Sequence, residues 1–515
     1  MNRSLIAVTT LASLSISAAE NVEKPNIIYI LADDWGYGDV SCLNPQSKIK
    51  TPFTDQIASE GMVFTNTHSS SAVCTPSRYS ILTGRYNWRS RLKKHVLFGY
   101  SNALIEDGRE TVASLLKKNG YDTACIGKWH LGWDWALKEG MEDKTPGPKT
   151  VDFSKPVKRG PLSNGFDYCF SHCGSLDMPP YVYIENNQPT SVPSKESVNK
   201  GKYSWWRKGP TGDDFVHEDV LPNFTRRVVK YIEEKSKTDK PFFVYMPIPA
   251  PHTPILPTAQ FQGKSGINPY ADFVMQVDHH IGQVAKALKD NGIDQNTLLI
   301  ITSDNGCSPA AKINELKKAG HEPGYKFRGH KADIYEAGHR IPYIAKWPKV
   351  IKAGSTYNGL ACQVDFTATC ADIVGATLDD AAAVDSLSQL PAFKGQPMDY
   401  SRREAVIHHS INGSFAIQKG DWKLILGTGS CGWSQPKGEK AMQMGLGPIQ
   451  LFNLKDDIGE TKNLYKQNPE KVAELTKLLK AYVENGRSTP GARQQNNGET
   501  TFMPKNVKLS DLIKN

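Results

Sequence analysis

Short apolar runs that end in polar residues recur along the first 390 positions of the chain. Residues 26–32 are apolar almost throughout, as are residues 241–246 and 297–302, which is typical of strands buried on both faces of a sheet. Apolar residues at helical spacing, as in 224–234, lie between these runs. This alternation predicts an α/β domain with a large mixed sheet sandwiched by helices.

The pattern changes at about residue 390. Residues 405–407, 414–418 and 422–426 read as short antiparallel strands, and apolar positions in 469–485 predict a closing helix. We therefore expect an N-terminal domain over 20–390, a smaller C-terminal α+β subdomain with a small antiparallel sheet and terminal helix over 391–490, and a loosely ordered polar tail over 491–515.

Polar residues repeatedly follow the predicted buried strands. They are Asp33 and Asp34, then Lys128 and His130, then His252, and finally Asp304 with Asn305. Ligands bind at the carboxyl ends of strands in open α/β sheets, so these residues predict one active site. Taken singly, each aspartate is as well explained by a solvated turn. Together, their hard oxygen atoms suit Ca²⁺ or Mg²⁺ better than Zn²⁺.

The segment around Cys74 combines a cysteine with signals for the start of a helix. Thr75 suits an N-cap, Pro76 suits the first helical position, and Arg78 follows one turn later. Cys74 would then lie at the positive end of a helix, where anions bind. Taken alone, the segment is better explained by a buried cysteine before an ordinary capped helix, because cysteines are usually buried.

Two motifs resemble those of the type I, formylglycine-dependent sulfatases of the alkaline phosphatase superfamily. One is Cys-Thr-Pro-Ser-Arg at 74–78 with Leu-Thr-Gly-Arg at 82–85, and the other is Tyr-Glu-Ala-Gly-His-Arg-Ile-Pro at 335–342, preceded by Lys331. Ala337 departs from the glycine that is common in the family. The resemblance covers about residues 25–485 and implies an alkaline phosphatase-like fold and a bacterial polysaccharide sulfatase.

The resemblance also implies cofactors and roles. A formylglycine-generating enzyme would oxidise Cys74 to 3-oxoalanine, whose hydrate is the nucleophile. One Ca²⁺ would be held by an oxygen of modified Cys74 and by four side chains, which are Asp33, Asp34, Asp304 and Asn305. Arg78 would steady the hydrate, and Lys128 and His130 would flank it. His252 or Lys331 would protonate the leaving group, and His130 would remove the last hydroxyl proton.

We expect a sulfated poly- or oligosaccharide as substrate. The net charge of +9 favours an anionic polymer, but without basic runs it does not indicate nucleic acid. Polar stretches at 136–161 and 186–210 read as insertions that line a cleft. Trp205 and Trp206 in the second stretch fit stacking on a sugar and packing under a loop equally well. The leaving group would be reached by Ser175, Asp177, His321 and Arg328.

Two other functions fit the same core. A phosphomonoester or phosphonate hydrolase with two metals would need further histidine and aspartate ligands, whereas the pairs His279–His280 and His408–His409 do not follow strand ends beside acidic residues. An inactive sulfated-glycan-binding protein is the second alternative. The intact motif around Cys74 favours an enzyme over it.

The N-terminus predicts export. Residues 1–19 contain Arg3, an apolar run and small residues near Ala19, as in a cleaved signal peptide. The run is too short for a membrane span, so we expect a periplasmic or secreted protein without an integral membrane segment. Of the nine cysteines, Cys169 and Cys173 are the expected local disulfide in an oxidising compartment.

Overall fold

The computed structural model describes residues 24–513. The predicted signal peptide, residues 1–19, lies outside this part of the chain. Among the described residues, no helix has both the length and the apolar character needed to cross a membrane.

Eighteen strands lie within residues 24–513. They are β1 (Asn26–Ala32), β2 (Met62–Phe64), β3 (Thr67–His68), β4 (Asp122–Lys128), β5 (Tyr168–His172), β6 (Tyr183–Glu185), β7 (Gln188–Pro189), β8 (Lys195–Asn199), β9 (Trp206–Thr211), β10 (Phe242–Pro247), β11 (Thr297–Ser303), β12 (Tyr343–Lys346), β13 (Ser355–Tyr357), β14 (Ala361–Cys362), β15 (Val406–His409), β16 (Phe415–Lys419), β17 (Trp422–Leu426) and β18 (Ile449–Asn453).

Twelve α-helices accompany them in the same range. They are α1 (Pro52–Ser59), α2 (Cys74–Thr83), α3 (Val112–Lys118), α4 (Val220–Lys235), α5 (Pro269–Asp290), α6 (Ile313–Lys318), α7 (Glu336–His339), α8 (Phe366–Val374), α9 (Leu390–Phe393), α10 (Gly438–Gln443), α11 (Pro469–Glu484) and α12 (Leu509–Leu512).

The main sheet has ten strands in the order β13-β2-β12-β11-β1-β10-β4-β5-β6-β7. Its five central strands, β11 to β5, run parallel, while β12 and β6 join antiparallel on either side. On β1, Ile28 and Ile30 face a core that includes α4 and α5, whereas Ile27 and Tyr29 face one that includes α2, α3 and α8. Because successive side chains of a strand point to opposite faces, β1 is buried on both sides. The expected sandwiched mixed sheet is confirmed.

The expected small sheet is also present. Strands β15 to β18 form a four-stranded antiparallel sheet, and α11 packs Leu475 and Leu479 against its apolar face. In the tail beyond residue 490, Phe502 and Met503 pack against the same cluster. In addition, the backbone N–H of Asn497 donates to the Arg89 carbonyl at 2.6 Å. These contacts connect the described part of the tail to the rest of the protein.

The polar stretch 186–210 contains β8 and most of β9, which pair as an antiparallel hairpin. One further expectation changes. All nine cysteines lie in the described part of the chain and all are free thiols, so the expected Cys169–Cys173 disulfide is wrong. Cys169 lies within β5, and its Sγ lies 3.2 Å from Ser171 Oγ.

Candidate active site

The predicted site residues that follow β1 and β11 lie side by side because these strands are adjacent, parallel and in register. Ala32 pairs with Ser303 at their carboxyl ends, so Asp33 and Asp34 emerge next to Asp304 and Asn305. All four residues are at most 1% exposed.

Three cations neutralise the three aspartates. Arg78 on α2 donates to Asp304 Oδ2 at 2.7 and 3.0 Å, Lys128 Nζ lies 2.5 Å from Asp33 Oδ2, and Lys331 pairs with Asp34. Burial alone would raise the pKa of Asp33, but Lys128 and the other cations hold it well below its usual range. Charge balance therefore does not by itself require a metal ion.

Unpartnered oxygen atoms make the argument for a metal. Oδ1 of Asp33, Oδ2 of Asp34 and Oδ1 of Asn305 are buried without a hydrogen-bond partner, and an orphaned buried polar atom is costly. The Asn305 amide nitrogen donates to Asp34 Oδ1 at 2.7 Å, which identifies the remaining amide oxygen as an acceptor. A hard divalent cation with oxygen ligands fits this donor set.

Cys74 is the first residue of α2 and lies beside these carboxylates. Its Sγ belongs to a group of potential ligand atoms with Asp33, Asp34 and His252, all within 4.8 Å of one another. The cysteine is 2% exposed, and burial raises the pKa of its thiol to about 12 although Lys128 and Lys331 oppose this shift. An unmodified Cys74 would therefore remain a protonated, poorly nucleophilic thiol near neutral pH.

The helix starts two residues earlier than the sequence predicted. Val73, not Thr75, is the N-cap of α2, because the Thr75 hydroxyl instead accepts a hydrogen bond from the backbone N–H of Leu97 at 3.2 Å. Pro76 then occupies the third helical position. Its missing N–H costs nothing there, since the first four N–H groups of a helix lack intrahelical partners.

Lys331 and His252 lie on the more open side of the cluster. Lys331 Nζ is 2.6 Å from Asp34 Oδ1 and 3.5 Å from Cys74 Sγ. Burial opposes its charged form, but the carboxylate of Asp34 raises the pKa of Lys331 overall. His252 Nδ1 donates to the carbonyl oxygen of Thr253 at 2.5 Å, and Nε2 lies 3.6 Å from Asp34 Oδ2. The ring therefore turns Nε2 toward the cluster.

His130 is held as a neutral base. Burial, followed by the charges of Lys128 and Arg78, lowers its pKa well below the usual value. Because the Leu97 carbonyl, 2.8 Å from Nε2, can only accept, Nε2 carries the proton. The buried Nδ1 has no partner and keeps a free lone pair.

The four residues expected to contact the leaving group divide into two pairs. Ser175 contacts the site, since Lys128 Nζ donates to Ser175 Oγ at 2.8 Å. Asp177 follows two residues later and is bonded to Arg207.

The other pair has partners inside the protein. His321 is fully buried, with one ring nitrogen 2.7 Å from Asp39 Oδ1 and the other accepting from Lys48 N. Arg328 donates to the Glu460 carbonyl and lies over the Tyr335 ring. Both ring nitrogens of His321 therefore have partners within the protein, and a contact of His321 or Arg328 with the leaving group stays a prediction.

Sequence reasoning missed a buried polar cluster behind the site. Lys423 of β17 donates to Glu336 at 2.9 Å and also pairs with Glu460 at 2.8 Å, all fully buried. His68, His339 and His408 adjoin it, but His339 and His408 stack with an interplanar angle of 10° and centroids 3.9 Å apart. One ion cannot lie in both ring planes, so we assign the cluster to docking of the small sheet.

Comparisons with known proteins agree with this geometry. A family model described as Sulfatase matches residues 25–376. The N-acetylgalactosamine-6-O-sulfatase of Bacteroides thetaiotaomicron is 34% identical over 503 residues, covering 90% of this chain and 94% of that protein. The Mus musculus N-acetylgalactosamine-6-sulfatase is 29% identical over 433 residues, covering 82% and 76%. A solved structure from work on the metabolism of multiple glycosaminoglycans by Bacteroides thetaiotaomicron has a TM-score of 0.77 at 32% identity, covering 89% of this chain and 99% of that one.

Proposed function

The chain belongs to the sulfatase family and shares its alkaline phosphatase-like fold, and we propose that it removes the 6-O-sulfate of N-acetylgalactosamine in a sulfated carbohydrate. Sulfate ester hydrolysis follows from the family. The sugar is inferred from the names of the two relatives. The observation that carries the mechanism is the meeting of Cys74, three orphaned oxygen atoms and three buried cations in one site.

Calcium would be held by Asp33, Asp34, Asp304 and Asn305, and it would supply positive charge to the sulfate oxygens. Cys74, once oxidised to formylglycine, would supply an oxygen nucleophile that its high-pKa thiol cannot match. The unpartnered oxygens support the proposal of a calcium site, because each of these oxygens could coordinate the ion.

The cations of the chain bind the anionic ester. Lys128 and Lys331 each use one carboxylate partner and keep further N–H donors, since an ammonium group has three. They would point these at sulfate oxygens, where charge-assisted bonds are strong. Arg78 is fully buried against Asp304, so it orients that carboxylate and adds positive charge.

Two histidines handle protons at opposite stages. His252, as an imidazolium with a hydrogen on each ring nitrogen, would donate its Nε2 proton to the departing sugar oxygen, with Lys331 as the alternative donor, because a sugar alkoxide is a poor leaving group. His130 would accept a proton at Nδ1, the atom that the Leu97 carbonyl leaves without hydrogen. Its lowered pKa keeps it neutral and ready to accept.

We further propose that the protein is exported to the periplasm or secreted, with residues 1–19 as signal peptide, and that a formylglycine-generating enzyme matures it. These proposals rest on the N-terminal pattern and the Cys74 motif. Residues 20–390, 391–490 and 491–515 remain the proposed domain, subdomain and tail.

The test is sulfate release by matured protein from 6-O-sulfated N-acetylgalactosamine, with the 4-O-sulfated isomer and the corresponding 6-O-phosphate as comparison substrates. We expect turnover of the 6-O-sulfate to exceed both. Preference for the phosphate would favour a phosphomonoester hydrolase, and binding without turnover would favour a glycan-binding protein.

A further inference from the structure

Residues 203–207 connect two parts of the rim of the site. At one end, the backbone N–H of Ile255 donates to the Tyr203 carbonyl at 3.0 Å. Ile255 lies three residues beyond His252, the proposed proton donor. The segment is therefore attached to the loop that faces the leaving group.

At its other end, the segment is attached to the loop of Ser175 and Asp177. The backbone N–H of Arg207 donates to the Asp177 carbonyl at 3.2 Å, and Ser175 accepts from Lys128. Residues 203–207 thus run between the side of the site with His252 and the side with Lys128, where the sugar must leave.

The two tryptophans of this segment have different surroundings, which resolves the alternatives that the sequence left open. Trp206 stacks on His217 with centroids 3.9 Å apart, donates to Ser197 Oγ and packs against the main core. Trp205 is half-buried and belongs to none of the hydrophobic clusters of residues 24–513. Its ring instead lies under Arg207, with the guanidinium carbon 5.2 Å from the ring centroid.

Arg207 is fixed at one end and open at the other. Its Nη1 bonds to the side chain and carbonyl of Asp177, whose side chain is 5% exposed. Its own side chain is 46% exposed, and neither Nε nor Nη2 makes a hydrogen bond to any other described residue. This Nε–Nη2 edge has the geometry that binds a carboxylate or sulfate through two parallel bonds.

We propose that Trp205 and Arg207 form a subsite for the sugar next to the sulfated one, with Trp205 against the ring and Arg207 on an acidic substituent of that sugar. Asp177 holds the guanidinium in place before the substrate arrives, which lowers the ordering cost of binding. The shared chemistry is an oxyanion on the neighbouring ring, either a uronate carboxylate or a second sulfate. The inference rests on the proposed function, because it assumes that a sulfated sugar occupies the site.

Wild-type enzyme gives the first test. Matured protein is assayed with disaccharides of 6-O-sulfated N-acetylgalactosamine in both linkage orders, whose neighbouring sugar is a hexuronate, its carboxyl-reduced form, or a neutral hexose bearing one sulfate. We expect kcat/KM to be about tenfold higher for an acidic neighbour than for the reduced one, mainly through KM, and to fall with ionic strength. The better of the two acidic substrates identifies the substituent.

Variants then identify the residues. Arg207→Gln should reduce the ratio of kcat/KM for acidic over reduced disaccharide about tenfold, and Arg207→Lys should reduce it less because the charge remains while the paired bonds are lost. Trp205→Ala should raise KM for every disaccharide relative to the monosaccharide. Arg226→Gln is the matched control, since Arg226 is an exposed arginine that pairs with Asp219; its ratio should equal that of wild type.

The outcomes separate this inference from the proposed function. Sulfate release from no disaccharide or monosaccharide overturns the proposed function. If wild-type enzyme releases sulfate from the acidic and the reduced disaccharides at equal kcat/KM, the proposed subsite is overturned while the proposed function stands. This outcome requires no variant. A wild-type preference that Arg207→Gln leaves intact also overturns the assignment to Arg207. Each ratio is measured within one preparation, so partial misfolding of a variant does not alter it.

Discussion

Lys331 Nζ lies 2.6 Å from Asp34 Oδ1. This contact occupies only one of the two oxygens of the Asp34 carboxylate. Oδ1 receives the ammonium group, while Oδ2 stays buried without a hydrogen bond. Asp34 can therefore pair with Lys331 through one oxygen and coordinate a metal ion through the other. The lysine is held beside Cys74, where a sulfate ester would lie.

The proposed modification of Cys74 can be tested directly. We expect the peptide that contains Cys74 to be about 18 Da lighter than the cysteine form in active protein, because an aldehyde replaces the thiol. Tandem mass spectrometry of the tryptic peptide measures this. Full activity in a preparation that contains only unmodified Cys74 would refute the assignment.

Calcium binding can be measured without turnover. We expect about one calcium per chain by elemental analysis. Calcium at 100 times its Kd should stabilise the protein by about 2.7 kcal/mol. Asp34→Asn should weaken this stabilisation, whereas Asp290→Asn, which alters an exposed carboxylate paired with Lys286, should not. Stoichiometric zinc, or equal calcium effects in both variants, would contradict the site.

His252→Ala should slow esters with poor leaving groups far more than esters with good ones. General acid help is worth about 10²–10⁴-fold for a sugar alkoxide, while an activated aryl oxide leaves nearly unaided. The measurement is kcat/KM for a sulfated sugar and a nitrophenyl sulfate in wild type and variant. Equal losses on both substrates would leave Lys331 as the proton donor.

Lys423→Met should destabilise the fold strongly. The change leaves the buried carboxylates of Glu336 and Glu460 without their shared cation, and breaking a buried ion pair costs about 3–5 kcal/mol. Lys419→Met is the control, because Lys419 also pairs with two glutamates but is 36% exposed and should lose less than about 1 kcal/mol. Urea denaturation measures both, and similar losses would contradict the cluster's role.

His280 should make stability depend on acid pH. Burial lowers its pKa to about 4, so the unfolded chain binds the proton more readily. The stabilisation is present above about pH 6.5 and is lost as the pH falls toward 4. His280→Gln should reduce this slope by up to about 1.4 kcal/mol per pH unit. His279→Gln is the control, because His279 is the half-buried neighbour of His280. If the free energy of unfolding has the same pH dependence in both variants, His280 is not its source.

The sequence predicted the residues at strand ends well because local patterns determine them. An apolar run that stops at Asp33 or Asp304 already indicates both the strand and its end. The sequence did not reveal the Lys423 cluster, because its members are distant in the chain: Lys423 and Glu336 are 87 residues apart. The N-cap prediction failed for a similar reason, since the bond that occupies Thr75 comes from Leu97, 22 residues away.

The burial of Cys74 limits when the proposed oxidation could take place. The backbone just before it is closed by the C-terminal sheet, since Ala72 N donates to the His409 carbonyl at 2.9 Å and Ser71 Oγ donates to the same carbonyl. With a side chain only 2% exposed, Cys74 cannot enter the active site of another enzyme once residue 409 is in place. If Cys74 is the formylglycine precursor that we propose, the oxidising enzyme would have to reach the nascent or still unfolded chain, and a molecule that folded first would keep the thiol.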